Sequence, residues 1–176
     1  MAALQFTRKK HRLDRNEYVG EKWFFITMCC EHRREIFFAK DKVGWVTDFL
    51  RIESTRNQFV IEAFCVMPDH MHFLALGIAP TSNLFVFAKT FKQKTAYAYQ
   101  KEHGVKLWQK NFYDHIVRPG VSPSRVAAYI WMNPVRKGFC KNFEEYPFSG
   151  SFTRPWKSSP EAEIWVPPWK EPKMPA

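Results

Sequence analysis

FVIEAFCVMPDHMHFLALG, residues 59–77, is the stretch that decides the fold. Two apolar and aromatic runs, Phe59 to Met67 and His70 to Leu76, stand on either side of Pro68-Asp69, a pair typical of tight turns. Runs of this length and composition favour buried β-strands. The stretch therefore predicts two buried strands joined by a tight connection.

The flanking sequence predicts further elements in a regular order. Upstream, Trp23 to Cys30 is strand-like, and Asp41 to Asn57 has the apolar spacing of an amphipathic helix. Downstream, a helix capped by Thr81, Ser82 or Asn83 runs to about Gln100, Phe112 to Arg118 is strand-like, and a third helix runs from Ser122 to Met132. Strand, helix, two strands, helix, strand is the ferredoxin-like order. We therefore expect an α+β fold, a palm-type antiparallel sheet with helices packed mainly on one face.

Length and composition predict the domain organisation. A chain of 176 residues, 45% of them hydrophobic, suits one domain with its own core. We expect this domain to occupy residues 1–154 and to begin with a basic N-terminal arm. Residues 155–176 are rich in proline and tryptophan, which favours an extended tail. The tail either closes over bound DNA or is held on the domain through Trp156 and Trp165, and we favour the second.

The charge balance indicates the kind of partner. Lysine and arginine outnumber aspartate and glutamate by 27 to 17, giving a formal charge of +10. Such an excess favours a polyanionic partner, nucleic acid before an acidic membrane surface. No apolar run reaches the length of a membrane span, and the basic N-terminus lacks the apolar stretch of a signal peptide. These features predict a cytoplasmic protein with no membrane partner.

Two histidines form the first candidate site. In a strand, side chains two apart point to the same face, so His70 and His72 are expected side by side. Buried imidazoles need a partner, and a divalent metal ion is one. A hydrogen-bonded pair without metal satisfies them as well, so the spacing alone leaves both alternatives open.

A tyrosine and an asparagine form the second candidate site. Tyr129 and Asn133 stand four apart and share one face of the third helix, with Arg125 and Arg136 along the same stripe. A tyrosine between two arginines suits phosphate chemistry. An ordinary amphipathic helix with a structural tyrosine explains the pattern at least as well, and Pro134 ends or kinks the helix near Asn133.

Taken together, the motifs resemble a known family. Val66 to His72, with its histidine–hydrophobic–histidine motif, resembles the HUH endonucleases. Downstream motifs resemble the REP-associated tyrosine transposases, single-tyrosine relatives of transposases that move insertion sequences as single strands. The likeness extends from about Trp23 to Ser151, with order and spacing kept, and includes Trp108-Gln, residues 112–118, residues 129–135 and Tyr146-Pro-Phe-Ser.

The resemblance implies an enzyme that cuts and rejoins DNA. His70, His72 and Asn133 would bind Mg²⁺ or Mn²⁺, and Tyr129 would be the nucleophile that forms a 5′-phosphotyrosine. The partner would be single-stranded or hairpin DNA, bound by a monomer or a homodimer. Basic side chains expected to contact that DNA are Lys89, Lys92, Arg118, Arg125 and Arg136.

Two other functions compete with this interpretation. A non-catalytic nucleic-acid-binding domain on a ferredoxin-like sheet explains the charge and the aromatic residues, but gives His70, His72 and Tyr129 no common role. A metal-dependent hydrolase would use water as the nucleophile, but only Asp69 adjoins the histidines as an acidic ligand. A covalent protein–DNA product would exclude both.

Overall fold

The computed structural model describes residues 14–154 and 165–168, and a five-stranded antiparallel sheet forms their centre. The strands are β1 (Trp23–Cys29), β2 (Phe59–Met67), β3 (His70–Gly77), β4 (Tyr113–Ile116) and β5 (Ser149–Gly150). Their order across the sheet is β4-β1-β3-β2-β5. The expected pair of buried strands is confirmed, and β3, which carries both histidines, is central, with β1 on one side and β2 on the other.

Helices complete the expected α+β fold. They are α1 (Lys40–Arg56), α2 (Leu84–His103), α3 (Pro123–Trp131) and α4 (Asn133–Arg136). The first six long elements follow the ferredoxin-like order strand, helix, two strands, helix, strand, which confirms the fold class. Short 3₁₀ turns at Arg15–Tyr18, Glu31–Arg33 and Phe143–Glu145 were not expected from the sequence.

Local signals explain where α2 begins and ends. The Asn83 side chain accepts a hydrogen bond from the Val86 backbone N–H at 3.2 Å, which caps the first turn. The helix ends three residues beyond the expected Gln100, at His103, where Gly104 adopts a left-handed φ of 71°. The Gly104 N–H donates to the Gln100 carbonyl at 2.8 Å. The spacing of apolar residues predicted this helix, and Gly104 ends it.

The two faces of the sheet have different coverings. The long helices α1 and α2 pack on one face over a core that includes Phe24, Phe73 and Phe87. The shorter α3 packs on the opposite face, against β2 and β3. The expectation of helices mainly on one face thus holds for the two long helices, while α3 covers the face that carries His72.

An irregularity in β2 sets which of its side chains share that second face. The pairing of β2 with β3 shifts between Ile61 and Ala63. Ile61 packs in the core under α1 and α2, whereas Ala63, Cys65 and Met67 pack in the core under α3. The bulge therefore changes the face on which alternate residues of β2 lie.

No helix within the described residues is both long and apolar enough to cross a membrane.

Candidate active site

The two histidines lie side by side on the α3 face of the sheet. Their Nε2 atoms are 3.1 Å apart, and their ring centroids are 4.7 Å apart at an interplanar angle of 80°. His72 is buried at 8% exposure, and the His70 side chain is 12% exposed. The spacing of two along β3 thus brings both imidazoles together, as expected.

The other nitrogen of each imidazole is held by a neighbour. His72 Nδ1 is 2.7 Å from Thr27 Oγ1, on the adjacent strand β1. His70 Nδ1 is 2.5 Å from Asp69 Oδ1, and Asp69 Oδ2 accepts a hydrogen bond from an Arg33 N–H at 3.0 Å. Each ring therefore has a fixed orientation, with Nε2 directed toward the other histidine.

Burial and neighbouring charges shift the pKa values of His70 and Asp69. Burial lowers the pKa of His70 below its ordinary value, although the hydrogen bond to Asp69 opposes the change, so the imidazole is neutral near pH 7. Burial alone would raise the pKa of Asp69. The hydrogen bond from His70 and the nearby charge of Arg33 outweigh it, and the pKa of Asp69 lies below its ordinary value. The carboxylate is therefore ionised and can only accept hydrogen bonds.

The histidine pair could supply two of the ligand atoms of a metal site. Two nitrogens about 3 Å apart can both lie about 2 Å from one ion. Neutral imidazoles whose other nitrogens are hydrogen-bonded are typical metal ligands. Within residues 14–154 and 165–168, no group of three or more histidine, cysteine, aspartate or glutamate side chains is placed to hold an ion. The pair fits a divalent ion that takes its other ligands from amide, phosphate or water oxygens.

Tyr129 lies on the same side of the sheet as the histidines. Phe25 joins the two groups, because its ring stacks on His72 at 5.4 Å and meets the Tyr129 ring edge-on at 5.9 Å. Tyr129 is 6% exposed and belongs to the core under α3. One aromatic ring therefore links the candidate nucleophile with the candidate metal ligands.

Arg136 contacts Tyr129 twice. Its guanidinium carbon lies 4.1 Å from the centre of the tyrosine ring, and its Nη2 donates to the Tyr129 carbonyl at 2.8 Å. Burial lowers the pKa of Arg136 from its high ordinary value, and nearby Tyr129 opposes this change. Arginine is the most basic side chain, so the guanidinium stays charged and places a positive charge on the face of the phenol ring.

Trp165, in the segment assigned to the tail, also packs on the tyrosine. It is 6% exposed, and its ring lies 5.4 Å from Tyr129, 5.3 Å from Phe25 and 5.7 Å from His115. This placement agrees with the favoured interpretation, in which the tail is held on the domain. Trp156 lies outside the described residues, and the boundary at residue 154 stays a prediction.

Asn133 is buried and is the first residue of α4, just beyond the end of α3. Its Nδ2 donates to the carbonyls of Tyr129 and Ile130, at 3.1 and 3.2 Å. Among the described residues, no hydrogen bond or ring contact joins Asn133 to either histidine. The structure therefore brings His70 and His72 together, whereas the Asn133 amide nitrogen is bonded to carbonyls of the helix that carries Tyr129.

The basic residues expected to contact DNA have different surroundings. Lys92 donates to the carbonyls of Gln109, Lys110 and Asn111, at 2.6, 3.1 and 3.2 Å, so its ammonium holds the chain that leads into β4. Arg125 is half-buried on α3. Lys89 is exposed beside a cavity of about 310 Å³, and Arg118 is exposed beside one of about 670 Å³.

The sequence interpretation did not single out four residues that hold this site: Phe25, Thr27, Arg33 and Asp69 as a hydrogen-bond partner. Strand periodicity could have identified Thr27. Alternate residues of β1 face α3, and on that face Thr27 lies opposite His72 of β3. Arg33 lies in a loop, for which the sequence offered no periodic signal.

Comparison with known proteins decides the family. Residues 20–133 match the family model described as "Transposase IS200 like". The chain belongs to this family. The match covers the sheet strands β1 to β4, the first three helices, both histidines and Tyr129, and ends at Asn133. The expected resemblance to tyrosine transposases is thus confirmed, and the chain is a transposase.

Individual relatives agree with this family assignment. The transposase is 27% identical over 131 residues to the REP-associated tyrosine transposase of Escherichia coli K12, covering 74% of this chain and 76% of the relative. A Haemophilus influenzae Rd protein, whose name assigns it provisionally to the same group, is 26% identical over 163 residues, covering 86% and 91%. A solved REP-associated tyrosine transposase bound to a REP hairpin has a TM-score of 0.65 at 21% identity, covering 81% and 82%, and supports the fold.

Proposed function

We propose that this transposase cuts one strand of hairpin-bearing DNA and rejoins it through a covalent bond to Tyr129. The observation that carries the proposal is the arrangement on one face of the sheet, where His70 lies beside His72, and His72 and Tyr129 both contact Phe25. The hairpin is suggested by the solved transposase of the same fold, which is bound to a REP hairpin.

The proposed reaction conserves the number of phosphoester bonds. The Tyr129 hydroxyl oxygen attacks the scissile phosphorus, and the bond from phosphorus to the 3′-oxygen breaks. The phenol proton is lost to solvent and the leaving 3′-oxygen gains one, so a 3′-hydroxyl and a 5′-phosphotyrosine result. Attack by another 3′-hydroxyl reverses the step and releases Tyr129. The phosphotyrosine retains the ester bond, and joining therefore needs no ATP.

His70 and His72 would hold a divalent ion, Mg²⁺ or Mn²⁺, which when bound polarises the scissile phosphate. Neutral imidazoles leave the ion's full charge available. Asn133 is proposed as the third protein ligand through its amide oxygen, an atom that takes no part in the two bonds its nitrogen makes to α3. Arg136 would stabilise negative charge that develops near the tyrosine oxygen.

The proposed DNA contacts divide into two kinds. Arg118 and Lys89, both exposed, would contact phosphates directly. Arg125, on the first turns of α3, would extend that contact toward Tyr129. Lys92 and Arg136 are bonded within the protein, so we propose that they shape the DNA-binding surface and add positive charge to it.

A trapping assay tests the proposal. The full chain is incubated with Mn²⁺ and a single-stranded oligonucleotide that carries a hairpin, labelled on the 3′ side of the expected cut. We expect a denaturant-resistant, DNA-shifted protein band, and mass spectrometry should find the nucleotide on the peptide that contains Tyr129. Cut DNA without an adduct would instead support the hydrolase, and binding without cutting would support the non-catalytic domain.

Salt dependence tests the DNA contacts. Since a +10 protein displaces counterions from DNA, we expect its affinity for single-stranded DNA to fall steeply between 50 and 200 mM salt, about 0.7 in the log–log slope for each phosphate contacted. Arg118→Gln and Lys89→Gln should each lower that slope by about 0.7. Lys40→Gln, which removes an exposed lysine at the start of α1, is the control. Equal slopes for all four proteins would contradict the assignment.

A further inference from the structure

The loop between β1 and α1 is fixed against the turn that precedes His70. The Cys30 N–H donates to the Asp69 carbonyl at 2.9 Å. The N–H groups of Ile36 and Phe37 donate to the Pro68 carbonyl at 2.7 and 3.0 Å. Three backbone hydrogen bonds thus attach residues 30–37 to the β2–β3 turn, immediately before the histidine strand.

Within this loop, two consecutive residues adopt a backbone conformation that costs free energy. His32 and Arg33 both have φ of 55°, in the left-handed region that side chains other than glycine rarely occupy. Such residues are strained, and strain of this kind is concentrated at functional sites. With this backbone, the Arg33 side chain reaches Asp69 at 3.0 Å.

A chain of polar contacts then extends from Arg33 to the histidine pair. One oxygen of the Asp69 carboxylate accepts from Arg33 and the other lies 2.5 Å from His70 Nδ1. In this contact the Asp69 oxygen is the acceptor and His70 Nδ1 is the donor, which places the ring hydrogen on Nδ1. His70 Nε2 is then the nitrogen directed toward His72.

The second histidine is held differently. Its Nδ1 partner is the hydroxyl of Thr27, which can donate or accept a hydrogen bond. His72 can therefore carry its hydrogen on Nε2, donated to His70 at 3.1 Å, or on Nδ1, donated to Thr27. Only His70 has a single tautomer imposed by its partner, and the partner's orientation depends on Arg33.

We infer that Arg33 is a positioning residue of the active site: by holding the Asp69 carboxylate, it fixes the ring orientation and the tautomer of His70, and so prepares Nε2 as the invariant metal-binding atom. The metal-binding part of this inference rests on the proposed function. The planar guanidinium suits this role, because its donors have fixed directions, whereas an ammonium binds a carboxylate as a point charge. Arg33 is half exposed, so its effect is on geometry rather than on overall stability.

The test combines a readout without metal and a readout with it. In ¹⁵N-labelled, metal-free wild type, imidazole NMR should show His70 protonated at Nδ1 alone. In Arg33→Gln we expect a mixture of tautomers, and a Kd for Mn²⁺, titrated alone, about tenfold higher than in wild type. Arg33→Lys should restore part of the affinity. Arg56→Gln is the matched control, since Arg56 is an exposed arginine that binds the buried carboxylate of Glu53 at 3.1 Å, elsewhere in the fold.

The outcomes separate this inference from the proposed function. If Arg33→Gln keeps a single His70 tautomer and binds Mn²⁺ within twofold of wild type, Arg33 has no positioning role. If Arg33→Gln shifts the tautomer in a protein that never cuts DNA, the positioning role stands and the proposed function is wrong. Should Arg33→Gln melt far below wild type, Asp69→Ala, which removes both acceptor oxygens, is measured instead: an unchanged single His70 tautomer in that variant would overturn the inference.

Discussion

Tyr129→Phe is expected to eliminate the covalent protein–DNA product while leaving the fold intact. The substitution removes one oxygen and keeps the ring that packs on Phe25, Trp165 and Arg136. Loss of a nucleophile costs at least about 10³-fold in rate, whereas loss of one hydroxyl typically costs about 1 kcal/mol of unfolding free energy. Adduct mass spectrometry, single-turnover cleavage and a melting curve measure the three quantities.

Tyr113→Phe is the matched control for this prediction. Tyr113 lies on β4 and is 48% exposed. Its substitution by phenylalanine also removes one hydroxyl, but on the surface of the domain. It should form the adduct at the wild-type rate. A normal cleavage rate in Tyr129→Phe would show that water is the nucleophile, and an adduct on another residue would show that the tyrosine was wrongly chosen.

His72→Ala and His70→Ala are each expected to abolish cleavage while sparing affinity for hairpin DNA. Either change removes one of two nitrogens that face the same point, so the proposed ion loses a ligand. Excess chelator should reproduce the loss in wild type, and added Mg²⁺ or Mn²⁺ should reverse it. Cleavage assays and binding titrations on the same oligonucleotide separate the two effects.

The His72→Ala change also affects the stability of the fold, because His72 stacks on Phe25 and is hydrogen-bonded to Thr27. We expect His72→Ala to cost about 1–3 kcal/mol. Thr27→Val is a useful comparison: it removes the hydroxyl, keeps the ligand, and should lower cleavage less than either alanine variant. Full cleavage in excess chelator would exclude a role for the metal.

The sequence predicted the long elements of the fold well because their signals are local. β2 begins and ends where expected, β1 and α1 differ by one residue at their ends, and Asn83 caps α2. The short elements had no such signal. β5 is two residues long and forms only because Ser149 and Gly150 pair with the edge of β2, a contact between residues distant in the chain.

The site, like the fold, was predictable only where its signal is local. The pairing of His70 and His72 follows from strand periodicity alone. The relation of that pair to Tyr129 depends on α3 crossing the sheet, and the family resemblance rather than the spacing indicated it. Asn133 illustrates the limit, because helical spacing placed it on the tyrosine's face, whereas in the structure its nitrogen bonds to α3 carbonyls beside Pro134.

The placement of the histidines on a central strand has a consequence for how such an enzyme can diversify. Strands on both sides of β3 hold the imidazoles in register, whereas the helix of Tyr129 rests on the sheet through side-chain packing. Under the proposed function, the metal ligands and the nucleophile would therefore be positioned by separate parts of the fold. An insertion in the connection between β4 and α3, residues 117–122, would then move the tyrosine along a DNA strand without disturbing the pair of imidazoles. The position of the cut would change while the proposed chemistry stayed the same.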